Sequence, residues 1–192
     1  MNKYLVIDTE TGGLSSEKNP ILQVAAQIYY DDKLISEFNE KMKPEEWQTL
    51  DPIALEVNGN TVEDIKRFPE HKEVFKRFTQ WMDNHIDKYN REDKYYQVGY
   101  NIHSFDAPFL RAWFHLNDHK YYGSYFYNPP VDVMLVAMFA CIGQRQNIHN
   151  FKLVTVCKSL GIKVEDAKLH DAMYDTEITA ELFFLLKKEF NI

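Results

Sequence analysis

Residues 1–192 read as one α/β domain built on a mixed sheet, three antiparallel strands and then parallel ones, with helices on both sides. Three observations predict this. The chain opens with three apolar runs of strand length, joined by short turns. Beyond residue 50 the apolar spacing becomes that of helices. From residue 96 onward short strands alternate with helices.

The first strand covers residues 3–8 (Lys-Tyr-Leu-Val-Ile-Asp) and the second residues 21–30. Asp31-Asp32 makes a tight turn into a third over 33–42. Asp51 to Val57 and Val62 to Phe68 read as short helices. His71 to Ile86 carries Val74, Phe75, Phe78, Trp81, Met82 and Ile86 at helical spacing. The polar stretch 87–95 is a loop, Tyr96 to Tyr100 a short strand, and a helix follows from Phe105 to Leu116. Residues 117–130, rich in Tyr and closed by Pro129-Pro130, read as an irregular surface excursion, with rings packed in a plain loop rather than offered to a partner. Val131 to Val133 is a brief strand feeding a helix through Ala140. Helices near 151–160 and 171–188 complete the chain. Strand order within the sheet is left open.

A composition 45% hydrophobic and 15% aromatic supplies a single sizeable core. The longest apolar run, Val133 to Ile142, is too short to cross a bilayer, and the first residues run into a strand rather than a leader, so a cytoplasmic protein with no membrane partner is expected. Cys141 and Cys157 lie in apolar segments without a CxxC pair and read as reduced core thiols. The net charge of −7 argues against a protein that grips long duplexes through their phosphates. It leaves room for a local site in which divalent cations offset four carboxylates.

Three short motifs carry chemistry. In Asp8-Thr-Glu10-Thr-Gly-Gly-Leu14 the alternation of a strand puts Asp8 and Glu10 on one face, and Gly12 and Gly13 let the chain turn. Two carboxylates on one face at a strand end suit a hard cation, against the plainer reading of a solvated turn. In Gly99-Tyr-Asn101-Ile-His-Ser-Phe105-Asp106-Ala-Pro108, the proline marks the first turn of a helix, so Asp106 sits where a strand has ended and a helix begins. The competing role for Asp106 is a helix cap. In His170-Asp-Ala172-Met-Tyr-Asp175, counting back from Thr179, Leu182, Phe183 and Leu186 places Asp175 and Ala172 on the packed face of the last helix. A carboxylate there must be paired, cation-bound or protonated, because an isolated buried charge is costly.

Taken in this order, the motifs resemble the DEDDh exonuclease superfamily, the DnaQ-like group that includes polymerase proofreading exonucleases. The likeness runs from residue 4 to about 186 and includes Pro20-Ile-Leu-Gln-Val-Ala-Ala, Val131-Asp132-Val133 and Leu153 to Ile162. His170, five residues before Asp175, fits the histidine branch; Asp171 stands where the tyrosine branch would place its Tyr. The resemblance implies a ribonuclease H-like fold and a 3′–5′ exonuclease releasing 5′-mononucleotides. It implies that Asp8, Glu10, Asp106 and Asp175 hold two Mg²⁺ or Mn²⁺ ions and that His170 accepts a proton from the attacking water.

The resemblance also implies substrate contacts at Thr11, Gly12 and Leu14, at Val57 and Asn58, and at Phe105. Relatives often carry His where Asn58 stands. For Val57 and Phe105 core packing competes evenly with a substrate role. Lys152, Lys158, Lys163 and Lys168 read as solvated surface. The expected partner is the 3′ end of a single-stranded nucleic acid, DNA before RNA, with a polymerase or a second copy as a protein partner. An exoribonuclease and a proofreading subunit acting mainly through polymerase binding are the alternatives. The chain ends about four residues past its last helix, which favours a free-standing enzyme.

Overall fold

A computed structural model of the chain describes all residues except Lys88, His170 and Ile192. The three opening strands form as expected, β1 (Lys3–Thr11), β2 (Ile21–Tyr30) and β3 (Lys33–Lys41). Helices α1 (Pro52–Val57), α2 (Val62–Ile65) and α3 (His71–Asp83) follow, then β4 (Tyr95–Gly99) and α4 (Asp106–Leu116). The remainder is α5 (Tyr122–Tyr125), β5 (Val131–Asp132), α6 (Val133–Ala140), α7 (Leu153–Ser159) and α8 (Ala172–Glu189). Short 3₁₀ turns cover Ile142–Asn147 and Asp166–Lys168.

The strand order is β3-β2-β1-β4-β5. β2 runs antiparallel to β1 and β3, whereas β4 runs parallel to β1 and β5 parallel to β4. The central strand, β1, is covered on both faces. Leu5 and Ile7 join the core beneath α3 and α4, while Tyr4 and Val6 join the one beneath α6, α7 and α8. This is the period-two alternation of a strand clothed on two sides. Among the described residues no helix is long and apolar enough to cross a membrane. Cys141 and Cys157 are buried and free.

Several boundaries differ from the expected ones. β1 continues past Asp8 to Thr11 because β2 keeps supplying partners, Thr9 to Val24 and Glu10 to Gln23, with a register shift before Thr11. The second short helix stops at Ile65 rather than Phe68, and α3 stops at Asp83, leaving Ile86 buried outside it. The Tyr-rich segment keeps exposed residues and packs its rings as expected, but it does so against the core and through the short helix α5 rather than in an irregular loop. Tyr125 is fully buried and donates to Asp83 Oδ1 (2.8 Å), and Tyr122 donates to Gln97 Oε1 (2.7 Å). Rings that bury large areas and satisfy their hydroxyls are drawn into the core; only Tyr121 of this group stays well exposed.

The seating of α8 decides where the last motif goes. Its first turn presents the small residues Ala172 and Thr176, both fully buried. Thr176 Oγ1 donates to Ala172 O (2.7 Å) and lies 3.4 Å from Ala25 O. Ala25 is the β2 residue paired with Asp8. Small side chains at this contact let the helix start close to the sheet, beside the first motif. Enlarging Ala25 to Leu overpacks it and should lower stability by about 1–3 kcal/mol. Chemical denaturation measures this, and an unchanged unfolding midpoint would show that α8 is not seated there.

Candidate active site

Asp8 and Glu10 project from the end of β1 on one face, as strand alternation requires. Asp175 projects from the first turn of α8, whose N-terminus is capped by Asp171: Oδ1 accepts from the N–H groups of Met173 (3.1 Å) and Tyr174 (3.0 Å). The three carboxylates converge, each offering an oxygen within 4.8 Å of the others, and all three residues are half-buried.

Asp106 stands apart from that group although it lies close by. It is 2% exposed, and its Oδ1 accepts both the N–H of Thr9 (3.0 Å) and the hydroxyl of Thr9 (2.7 Å). The β1–β4 ladder ends at Val6 and Val98, so Thr9 lies beyond it and the start of α4 supplies the acceptor instead. One Asp106 oxygen is thus committed to holding β1. Phe105, half-buried at the cap position of α4, packs against Phe109 with ring centroids 5.1 Å apart. His170 lies outside the described residues.

The electrostatics follow from burial and crowding. Asp8 is held well above the usual carboxylate range, by burial first and then by the charges of Asp106, Glu10 and Asp175. Glu10 is raised to about 7, by burial and then by Asp175, Asp106 and Asp171, with Lys41 opposing. Burial also pushes Asp106 up to about 7 against the lowering effect of its hydrogen bonds from Thr9. Like charges held together at a strand end are costly until a cation joins them. Among the described residues the donor set is carboxylate oxygen, which suits a hard divalent ion better than zinc, which favours His nitrogen and Cys sulfur.

The turn after β1 is tightly built. Gly12 N donates to Pro20 O (2.8 Å), Asp51 N donates to Gly12 O (2.7 Å), and Thr11 Oγ1 donates to Gly13 O (2.7 Å). A Cβ at Gly12 would lie 2.7 Å from Leu50 Cδ2 and 2.9 Å from Pro20 Cδ, so the position has no room for a side chain. Asn58, at the end of α1, donates through Nδ2 to Thr11 O (3.2 Å). The helix end named in the sequence therefore does meet the first motif. Leu14 and Val57 are 84% and 56% exposed, so neither is a core residue.

Three residues with roles here were not singled out from the sequence. Thr9 anchors Asp106. Asp132 accepts the N–H groups of Asn101 (3.1 Å) and His103 (3.2 Å), and so shapes the loop that delivers Asp106, while also capping α6 at Met134 N (3.1 Å). Asp171 caps α8 and adds to the negative field at Glu10. An Asp directly before an apolar helix is the one signal that could have flagged Asp132. Of the lysines near the last motif, Lys158 pairs with Asp166 (2.6 Å) and Lys168 with Glu165 (2.9 Å), as solvated surface residues do.

Comparison with known proteins finds relatives that span nearly the whole chain. A family model described as Exonuclease covers residues 5–183. The PolC-type DNA polymerase III of Bacillus cereus is 31% identical over 186 residues, spanning 97% of this chain and 11% of the polymerase. The Bacillus subtilis counterpart is 28% identical over 188 residues, again 97% of this chain and 11% of the polymerase. Among solved structures, E. coli exonuclease I in complex with a dT13 oligonucleotide superposes with a TM-score of 0.78 at 22% identity, covering 100% of this chain and 43% of that one. The zinc-bound form of an E. coli exonuclease I complex with single-stranded DNA gives a TM-score of 0.78 at 22% identity, covering 98% and 41%. The chain therefore spans about a tenth of those polymerases and less than half of exonuclease I. The shared architecture is the ribonuclease H-like fold.

The raised carboxylates set a pH dependence. Glu10 binds its proton more tightly in the folded chain, so folding stability falls as pH rises from its ordinary value of 4.5 through about 7. Without divalent cations the thermal midpoint should drop between about pH 5 and about pH 8, and Mg²⁺ or Mn²⁺ should restore it at the upper end only. Thermal scans of the wild type and of Asp175→Asn check this. A cation-free midpoint that ignores pH, or an equal fall in the variant, would contradict the crowding of these carboxylates.

Proposed function

The chain belongs to the exonuclease family, and we propose that it removes nucleotides from the 3′ end of a single-stranded nucleic acid, DNA in preference to RNA, releasing 5′-mononucleotides. The observation that carries this reading is the convergence of Asp8, Glu10 and Asp175 beside Asp106 at the end of β1. Asp8, Glu10 and Asp175 would hold Mg²⁺ or Mn²⁺, with the Asp106 oxygen not committed to Thr9 available beside them. The bound cations, two in the full four-carboxylate arrangement, would supply Lewis-acid activation of water and stabilisation of charge on the phosphodiester.

The protein's own residues do the rest. The Thr11-Gly12 turn, held tight because Leu50 and Pro20 fill the space a side chain at Gly12 would need, would present its backbone to the terminal nucleotide. Leu14 and Val57 offer exposed apolar surface to its sugar and base, and Phe105 offers a ring on the Asp106 side. Asn58 braces this pocket by its bond to Thr11 O. His170 would accept the proton of the attacking water, a role suited to an imidazole near neutral pH. Complexes of exonuclease I with single-stranded DNA support the strand and sugar assigned here. The polymerase relatives support a second reading, in which the chain proofreads for a polymerase that it contacts.

A 5′-labelled single strand should shorten stepwise from its 3′ end in Mg²⁺ and remain intact in excess EDTA. Asp175→Asn should lower kcat by at least about a hundredfold, and His170→Ala should cost a comparable factor at neutral pH. Cleavage that persists in EDTA would exclude the cation-dependent reading. Near-normal rates for His170→Ala would exclude that base. Equal or faster loss of a matched RNA strand would reverse the preference for DNA.

A further inference from the structure

Lys41, at the end of β3, is a cation that no role above absorbs. Strand register places it in line with the carboxylates: Glu10 pairs with Gln23, and Gln23 pairs with Lys41. Directly paired residues share a face of the sheet, so Glu10, Gln23 and Lys41 form one row across three strands. The row spans two strand spacings, about 10 Å between the outer backbones. Next to it Gln23 donates to Asn39 Oδ1 (2.8 Å), so the lane between lysine and carboxylates is polar.

The lysine is held without being neutralised. Its Nζ donates to Asn60 Oδ1 (3.2 Å) and lies 5.4 Å from the centre of the Phe68 ring. Asn60 Nδ2 donates to Asn58 Oδ1 (3.0 Å), and Asn58 reaches Thr11 O (3.2 Å), which ties the lysine to the turn after β1. Among the described residues Lys41 has no carboxylate partner within ion-pair distance, whereas Lys43 is paired with Glu70 (2.5 Å) and Lys158 with Asp166 (2.6 Å). Its charge nevertheless reaches the cluster, opposing the rise at Glu10.

We propose that Lys41 binds a phosphate of the substrate strand beside the carboxylate cluster. The inference rests on the exonuclease reading above and adds a contact to it. A chain with a net charge of −7 repels a polyanion at long range. A cation with no ion-pair partner among the described residues, held in the row of Glu10, counters that repulsion where the strand arrives. An ammonium meets a phosphate oxygen as a charge-assisted hydrogen bond, and Asn60 and Phe68 limit the freedom lost on binding.

The test compares Lys41→Ala, Lys41→Arg and wild type on a 5′-labelled oligodeoxythymidylate at several salt concentrations. For Lys41→Ala, KM should rise about tenfold while kcat stays within about twofold. The slope of log(kcat/KM) against log[salt] should become shallower by about 0.7, the value for one phosphate contact on a single strand. Lys41→Arg should keep most of the wild-type slope. An unchanged KM and slope would overturn the proposal. So would a fall in kcat with the slope intact, which would place Lys41 as a modulator of Glu10 rather than a phosphate ligand. If the wild type cleaves no strand, the exonuclease reading fails; fluorescence anisotropy with the same oligonucleotide still decides Lys41, and equal affinities for wild type and Lys41→Ala would reject it.

Discussion

Holding carboxylates close together without a compensating charge costs free energy, and this fold does so at the end of its central strand. Asp8, Glu10 and Asp175 offer oxygens within 4.8 Å of one another, and their mutual repulsion adds to burial in raising Asp8 and Glu10. The surrounding structure must hold them there. β1 is clamped between β2 and β4 and covered on both faces, so its end cannot swing away from the crowding. Thr176 against Ala25 sets the approach of α8, and Thr9 with Asp106 fixes the start of α4 to the same strand. Such strain is a familiar property of sites that await a ligand: what destabilises the cation-free chain becomes affinity for the cation.

Hydrogen bonds around the site divide into those that hold the carboxylates and those that frame the strand's path. The first set comprises Thr9 with Asp106, Asp132 with the backbone of Asn101 and His103, and Asp171 with the first turn of α8. The second runs from Thr11 through Asn58 and Asn60 to Lys41. In the proposed reaction the first set fixes where the phosphodiester is attacked and the second where the terminal nucleotide and its neighbouring phosphate lie. Each helix that contributes to the site begins or ends near the C-terminal end of the central strand β1, the usual place for function in an open α/β sheet.

Much of this was legible in local pattern. Period-two alternation put Asp8 and Glu10 on one face, and counting by three and four placed Asp175 toward the sheet; both are backbone periodicities that tertiary contacts did not override. The antiparallel pairing of β2 with β3 followed from the short Asp31-Asp32 turn between apolar runs, whereas β1 and β2 are joined by the longer segment 12–20. What stayed hidden depends on register and on contacts distant in sequence. The bond from Thr9 to Asp106 spans 97 residues and follows from where β4 stops. Lys41 joins the row of Glu10 only once β2 has fixed the pairing on both sides. The packing of the Tyr-rich segment was legible but its partners were not, because the hydroxyls of Tyr125 and Tyr122 reach Asp83 and Gln97, 42 and 25 residues away.

The central claim is that three carboxylates from two distant motifs form a cation site at the end of β1. Crystals soaked in Mn²⁺ and measured for anomalous scattering would locate the ion directly. The account predicts a peak bonded to oxygens of Asp8, Glu10 and Asp175, lost in crystals of Asp175→Asn. A map with Mn²⁺ bound elsewhere on the chain and nothing between these three side chains would contradict it.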